Sequence, residues 1–109
     1  MRNSAEYTFW FSLMAALSLS ACAPFVPLKP AAETVQVSNL ETTSACTLKG
    51  SVRVKVLNKI GPVTRDEGKV IIELNTLARN SAVEQGGDTV AAAGPIVDGE
   101  REYKVFSCR

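Results

Sequence analysis

Cys46-Thr47-Leu48-Lys49-Gly50-Ser51-Val52-Arg53-Val54-Lys55-Val56 carries the clearest structural signal in the 109-residue chain. Leu48, Gly50, Val52, Val54 and Val56 alternate with Lys49, Ser51, Arg53 and Lys55, and a period of two is the pattern of a strand with one wet face. Gly61-Pro62 ends the run, since glycine and proline together favour a turn over a continued ladder.

A helix follows. Thr64 with Glu67 three residues on makes a capping box, while Asp66 can cap by itself, so two starts compete. Val70, Ile71, Leu74, Leu77, Ala78, Ser81 and Ala82 then fall on one stripe, and Lys69, Glu73, Asn75, Thr76, Arg79, Asn80 and Glu84 take the other side. That is the division of an amphipathic helix lying on a core. Gly86-Gly87 supplies the left-handed residue that closes helices. Residues 88–93 read as a strand, Asp98-Gly99 as a hairpin turn, and residues 100–108 as a last strand. In that last strand Tyr103 and Val105 have one parity and Phe106 and Cys108 the other. Either both of its faces are covered or a bulge intervenes. Upstream, residues 34–37 form a short edge strand with Val35 and Val37 on one side, and residues 38–45 are turn-like.

The N-terminus sets the compartment. Residues 8–19 are nearly continuous apolar sequence behind Arg2, too short for a spanning helix of about 20 residues and suited to the h-region of a signal peptide. Leu19-Ser20-Ala21-Cys22 at its end spells a lipobox. We therefore expect residues 1–21 to be a lipoprotein signal peptide and Cys22 to be lipidated as the first mature residue. Residues 22–32, with Pro24, Pro27 and Pro30, read as a Pro-rich tether, and residues 33–109 as the domain. Ala23, where Asp would favour retention in the inner membrane, points to an outer-membrane anchor facing the periplasm.

In that oxidising compartment the two remaining cysteines, Cys46 and Cys108, are expected to form a disulfide. Bridged Cα atoms lie within about 7 Å of each other, so the start of the clear strand meets the end of the last one and the two run antiparallel. The Asp98-Gly99 hairpin makes the third strand antiparallel to the last one as well. The last strand then sits in the middle, with the helix as crossover. The fold class is α+β: a small split β-α-β domain, one amphipathic helix packed on a three- to four-stranded, mainly antiparallel sheet.

Cys46, Gly50-Ser51-Val52-Arg53-Val54, Glu73-Leu74, Ala78-Arg79-Asn80, Ala82, Gly86-Gly87-Asp88-Thr89-Val90 and residues 105–108 resemble the YjeI-type envelope lipoproteins, a family defined as a domain of unknown function. The resemblance covers residues 46–109. A more distant likeness is to the RcsF-type outer-membrane lipoproteins, envelope-stress sensors whose small α/β domain engages β-barrel proteins. Those have four cysteines in two bridges, whereas this chain has two after Cys22. The resemblance implies a protein-interaction or envelope-maintenance role and an envelope protein as partner.

Several chemistries are excluded or disfavoured. There is no histidine, so triads built on it cannot form and the commonest general base and metal ligand are missing. Cys46 and Cys108 are too far apart for a Cys-x-x-Cys redox motif. Asp66-Glu67, Glu73, Asp88 and Glu100 with Glu102 are the carboxylates available for glycosidase-type pairing, and solvating acids are the stronger reading. Setting aside Arg2 and Glu6, the totals of 12 basic and 11 acidic residues become 11 and 10, without the basic excess that nucleic acid requires. Arg53 and Lys55 read as a solubilising face rather than a phosphate site. Ile72 and Val83 lie off the helix's core stripe. We expect no catalytic residue, cofactor or metal, and a membrane contact through Cys22. The alternative is a module binding a small ligand, lipid or cell-wall fragment, for which a core this thin leaves little room.

Overall fold

The computed structural model describes residues 26–109; the expected signal peptide, residues 1–21, lies outside them. A 3-10 turn at Pro30–Ala32 leads to strand β1 (Gln36–Ser38), followed by β2 (Thr47–Lys55), β3 (Lys59–Ile60), β4 (Val63–Thr64), helix α1 (Glu67–Glu84), β5 (Thr89–Ala92) and β6 (Glu100–Ser107). The four-stranded sheet has the order β1-β5-β6-β2. β5 and β2 both run antiparallel to β6, and β1 is parallel to β5. One helix on this sheet is the α+β arrangement expected, with the last strand inside. β3 and β4 form a separate two-stranded ribbon.

The edge strand is displaced from residues 34–37 to Gln36–Ser38. Val35 is occupied elsewhere: its N–H donates to Ala32 O at 3.1 Å and its side chain is buried in the core. The two parities of β6 are resolved as well. Leu48 faces Phe106 and Gly50 faces Val105, so Lys49 is an extra residue in β2. A one-residue slip turns every later side chain over. Val52 and Val54 therefore share a face with Tyr103 and Val105, while Leu48 goes with Phe106 to the other side. The bulge is in β2 rather than β6, and both faces of β6 are covered, since Phe106 is buried too.

Asp66 is the N-cap of α1, its carboxylate accepting from Gly68 N at 3.0 Å, whereas Thr64 belongs to β4. Val70, Leu74, Ala78 and Ala82 recur every four residues and are buried with Val54, Val56, Val90, Tyr103 and Val105. At the other end Gly86 has φ 73°. Its N–H donates to Val83 O at 3.2 Å and that of Gly87 to Ala82 O at 2.9 Å, the paired bonds of a Schellman close. A Cβ on Gly87 would lie 2.2 Å from Val105 Cγ1, which lets the chain pass tightly into β5. Tyr103 is enclosed beneath the helix and its hydroxyl donates to Asn75 Oδ1, so the one polar atom of a large core ring is satisfied.

The polar side of α1 is not the wet face that its composition suggests. Lys69 and Glu84 are exposed, but Asn80 is buried and Asn75, Thr76 and Arg79 are partly so. Residues 27–35 lie along this side. Asn80 Oδ1 accepts from Lys29 N at 2.8 Å and its amide donates to Pro27 O at 3.1 Å. The Arg79 guanidinium donates to Val35 O at 2.8 Å, Glu33 O at 3.0 Å and Ala32 O at 3.2 Å. Leu28 packs against the core and Ala32 is fully enclosed. The expected tether of residues 22–32 therefore gives way to folded structure by Pro27, ahead of the expected boundary at 33. Pro27 and Pro30, expected to act as spacer residues, also reduce the conformational freedom lost when the segment docks.

Candidate functional site

The two ends of the sheet carry different chemistry. At the end where α1 finishes, Cys46 and Cys108 form a disulfide with Cα atoms 4.6 Å apart. Beside it the Asp88 carboxylate accepts from Cys108 N at 2.9 Å, Arg109 N at 3.1 Å and Thr89 Oγ1 at 2.9 Å. These bonds, the one from Cys108 N foremost, hold its pKa below the usual carboxylate range. Asp88 thereby ties the last two residues to the start of β5. Cys22, expected to carry lipid, lies outside the described residues.

At the opposite end the β3–β4 ribbon, the start of α1 and the 94–99 loop surround a hollow of about 200 Å³, with Asn58, Thr64, Arg65, Glu67, Ile96 and Asp98 among its walls. Asp98 and Gly99 have φ 52° and 75°, the left-handed pair of a type I′ turn, as their sequence suggests. Gly99 O accepts from Val56 N at 2.9 Å, and a Cβ on Gly99 would fall 2.3 Å from Val56 O. Glycine is therefore required where the loop crosses the end of β2.

Arg65 organises this end. Its Nη1 and Nη2 donate to the two Glu73 oxygens at 2.8 and 2.7 Å, Nη1 also donates to Leu57 O at 2.8 Å, and its backbone N–H donates to Asn58 O at 2.8 Å. The pair is largely shielded from water, with side chains 15% and 11% exposed. Bidentate Arg–carboxylate geometry is among the strongest of side-chain hydrogen bonds. It lowers the pKa of Glu73 and raises that of Arg65. A carboxyl whose pKa falls on folding contributes stability above its unfolded value and loses it as pH drops through the folded one. The protein should accordingly lose stability on acidification below about pH 4 to 5, where unfolded carboxylates begin to protonate. Asp88 acts with the same sign. Glu73→Gln should lower the urea midpoint at pH 7 and reduce its decline between pH 7 and pH 3. An unchanged pH profile would show that the pair contributes nothing to acid sensitivity.

Of the carboxylates considered for acid–base work all but Glu67, which stands exposed on the wall of the hollow, are engaged. Asp66 caps α1, Glu73 is held by Arg65, Asp88 holds the C-terminus, and Glu100 and Glu102 flank Arg53 at 3.8 and 3.9 Å. Glu73 and Asp88 are thus structural ligands of the fold rather than solvating acids. Among the described residues no three Cys, Asp or Glu side chains gather as metal ligands, and no helix is long and apolar enough to cross a membrane. Val83 packs against the core while Ile72 stays exposed.

Sequence reading missed Arg65, whose partners Leu57 O and Glu73 stand eight residues to either side, and the Arg79–Asn80 clamp, whose main-chain partners are distant in the chain. It also passed over the exposed side chains at the ribbon tip, Ile60 and Val63, although two apolar residues bracketing Gly61-Pro62 were a visible signal.

The sequence model of a family described as Domain of unknown function (DUF4156) matches residues 26–108, a span opening next to docked Pro27 and closing on bridged Cys108. No curated protein and no solved structure matches the chain.

Proposed function

The chain belongs to the DUF4156 family, defined by a domain of unknown function, and from that premise we propose that it is a bacterial envelope lipoprotein with a non-enzymatic role in protein interaction or envelope maintenance. The observation that carries this is the Cys46–Cys108 bridge behind a lipobox at Leu19-Ser20-Ala21-Cys22. Disulfides persist in oxidising compartments, so the bridge and the lipobox point to the same place by independent chemistry. Lipid on Cys22 anchors the protein, and Ala23 favours the outer membrane with the domain facing the periplasm. The likeness to YjeI-type and RcsF-type lipoproteins supports an envelope protein as partner. The absence of histidine and the engagement of Asp66, Glu73, Asp88, Glu100 and Glu102 support a role without turnover.

Mass spectrometry of the protein extracted from membranes tests this reading. A diacylglyceryl and acyl increment on Cys22, with Cys46 and Cys108 alkylated only after reduction, is the expected result. An unmodified chain with free thiols would overturn both anchor and compartment.

A second reading, a module that binds a small ligand, lipid or cell-wall fragment, has the hollow beside Arg65 in its favour. At about 200 Å³ it is smaller than the roughly 300 Å³ at which ligand pockets begin. A thermal shift with peptidoglycan fragments would favour it.

A further inference from the structure

We propose that the β3–β4 ribbon is a second membrane contact, a wedge that seats Ile60 and Val63 in the lipid surface to which Cys22 tethers the chain; this rests on the lipid-anchor reading above. Ile60 and Val63 face each other across the ribbon, joined by Gly61 (φ 60°) and Pro62, and are 66% and 64% exposed. Leu57 at the base is 58% exposed and Val97 in the neighbouring loop 60%. Apolar side chains gathered at one end of a small domain mark an interaction surface, whereas scattered ones do not.

The tip is held in place by its base. Arg65 bonds both Asn58 O and Leu57 O while gripped by Glu73 on α1, so the ribbon is fixed to the helix that the rest of the domain packs around. The ribbon itself bears only basic charge: residues 55–65 contain Lys55, Lys59 and Arg65 and no acid, while exposed Asp66, Glu67 and Asp98 lie behind it at the start of α1 and in the 94–99 loop. With Arg65 bound to Glu73, the exposed Lys55 and Lys59 are the ones placed to meet phosphates. Apolar side chains at the headgroup boundary with cations beside them are the combination that binds interfaces.

Reach decides between lipid and other occupants. Pro27 is docked on Asn80, and the five residue steps from Cys22 to Pro27 span at most about 17 Å when fully extended. A lipidated Cys22 thus keeps the domain within a short distance of the bilayer at all times. From Asn80 to the start of α1 is 13 residues, about 20 Å of helix, and the ribbon lies just beyond. With α1 inclined along the membrane, anchor and tip meet one surface, and the tether keeps the lipid concentration at the tip permanently high.

Tryptophan emission tests the wedge. The chain's single tryptophan is Trp10, in the expected signal peptide, so an indole placed in the mature protein reports alone. The lipid-modified mature protein carrying Ile60→Trp, and separately Ile72→Trp on the exposed side of α1, is reconstituted in phosphatidylethanolamine and phosphatidylglycerol vesicles. The expected result is a blue-shifted Ile60→Trp emission, quenched by lipids brominated on their acyl chains, with Ile72→Trp remaining at the water-exposed wavelength. If the protein floats with the vesicles and both variants emit alike, the wedge is wrong and the anchor stands. If it does not float, the anchor reading fails first. A blue shift that follows protein concentration without lipid would assign the tip to a second copy of the chain and overturn the proposal.

Discussion

Replacing both Cys46 and Cys108 by serine should lower the free energy of unfolding by about 4 kcal/mol, seen as a large fall in the urea midpoint with the circular dichroism in water unchanged. The bridge closes a loop of sequence separation 62, enclosing β2, the ribbon, α1, β5 and β6. Without it the unfolded chain gains most of the conformational freedom of that loop. The native state gains little, because the start of β2 and the end of β6 are also joined by their own ladder from Thr47 and Ser107 onward and by the hold of Asp88 on Cys108 and Arg109. A domain with total stability of about 5 to 15 kcal/mol would lose a large share of it, and β2 and β6 would still pair. Treating the unaltered protein with dithiothreitol should reproduce the variant's midpoint, and the same treatment should leave the variant where it is. A loss under about 1 kcal/mol would mean that the unfolded chain keeps these ends together by itself.

The bridge also explains why the order of β5, β6 and β2 is legible in the sequence, whereas the place of β1 beside β5 is not. Alternation over residues 48–56 identifies one strand, and joining Cys46 just ahead of it to Cys108 just after β6 leaves a single simple arrangement for these three. What escaped reading depended on contacts without a local period. The bulge at Lys49 leaves the apolar alternation of β2 intact in sequence while moving Leu48 to the opposite face, so no pattern within β2 reveals it. Arg79 and Asn80 look like solvent residues because their partners are backbone carbonyls and an amide some 44 to 53 positions away, and main-chain groups carry no sequence signature. Arg65 escaped for a different reason. Its salt-bridge partner Glu73 stands eight residues on, outside the three- or four-residue spacing at which helical ion pairs are recognised, because Arg65 itself precedes the helix. Prolines are ambiguous in another way. Their composition reads as a spacer, yet a restricted backbone also docks readily, and here residues 27–32 are seated on the helix.

Leu74→Ala should destabilise the protein by about 3 kcal/mol, the largest loss expected from a single side chain on α1. Leu74 is fully enclosed at the middle of the helix, with Val70 and Ala78 one turn to either side in the same buried cluster as Val54, Tyr103 and Val105. Two quantities add: the apolar area no longer removed from water, and the cavity left where the isobutyl group stood. The second depends on whether the neighbours can close in. Here the helix is fastened at both ends and along its flank, by the Asp66 cap, the bonds at Gly86 and Gly87, and the Arg79 and Asn80 bonds to residues 27–35. Most of the surrounding side chains are valines and alanines, short and stiff, with little reach to refill the space. Ile72→Ala two residues away removes an apolar group of similar size from a position 65% exposed and should change stability by no more than about 0.5 kcal/mol. Leu74→Met, which keeps the volume, should lose less than about 1.5 kcal/mol. Urea denaturation of the three variants with the disulfide intact checks the series. Equal losses at Leu74 and Ile72 would show that α1 does not present the Val70, Leu74, Ala78 and Ala82 face to the sheet. The clamp on residues 27–35 would then have to be reassigned with it, since Arg79 and Asn80 reach that segment only in this rotation of the helix.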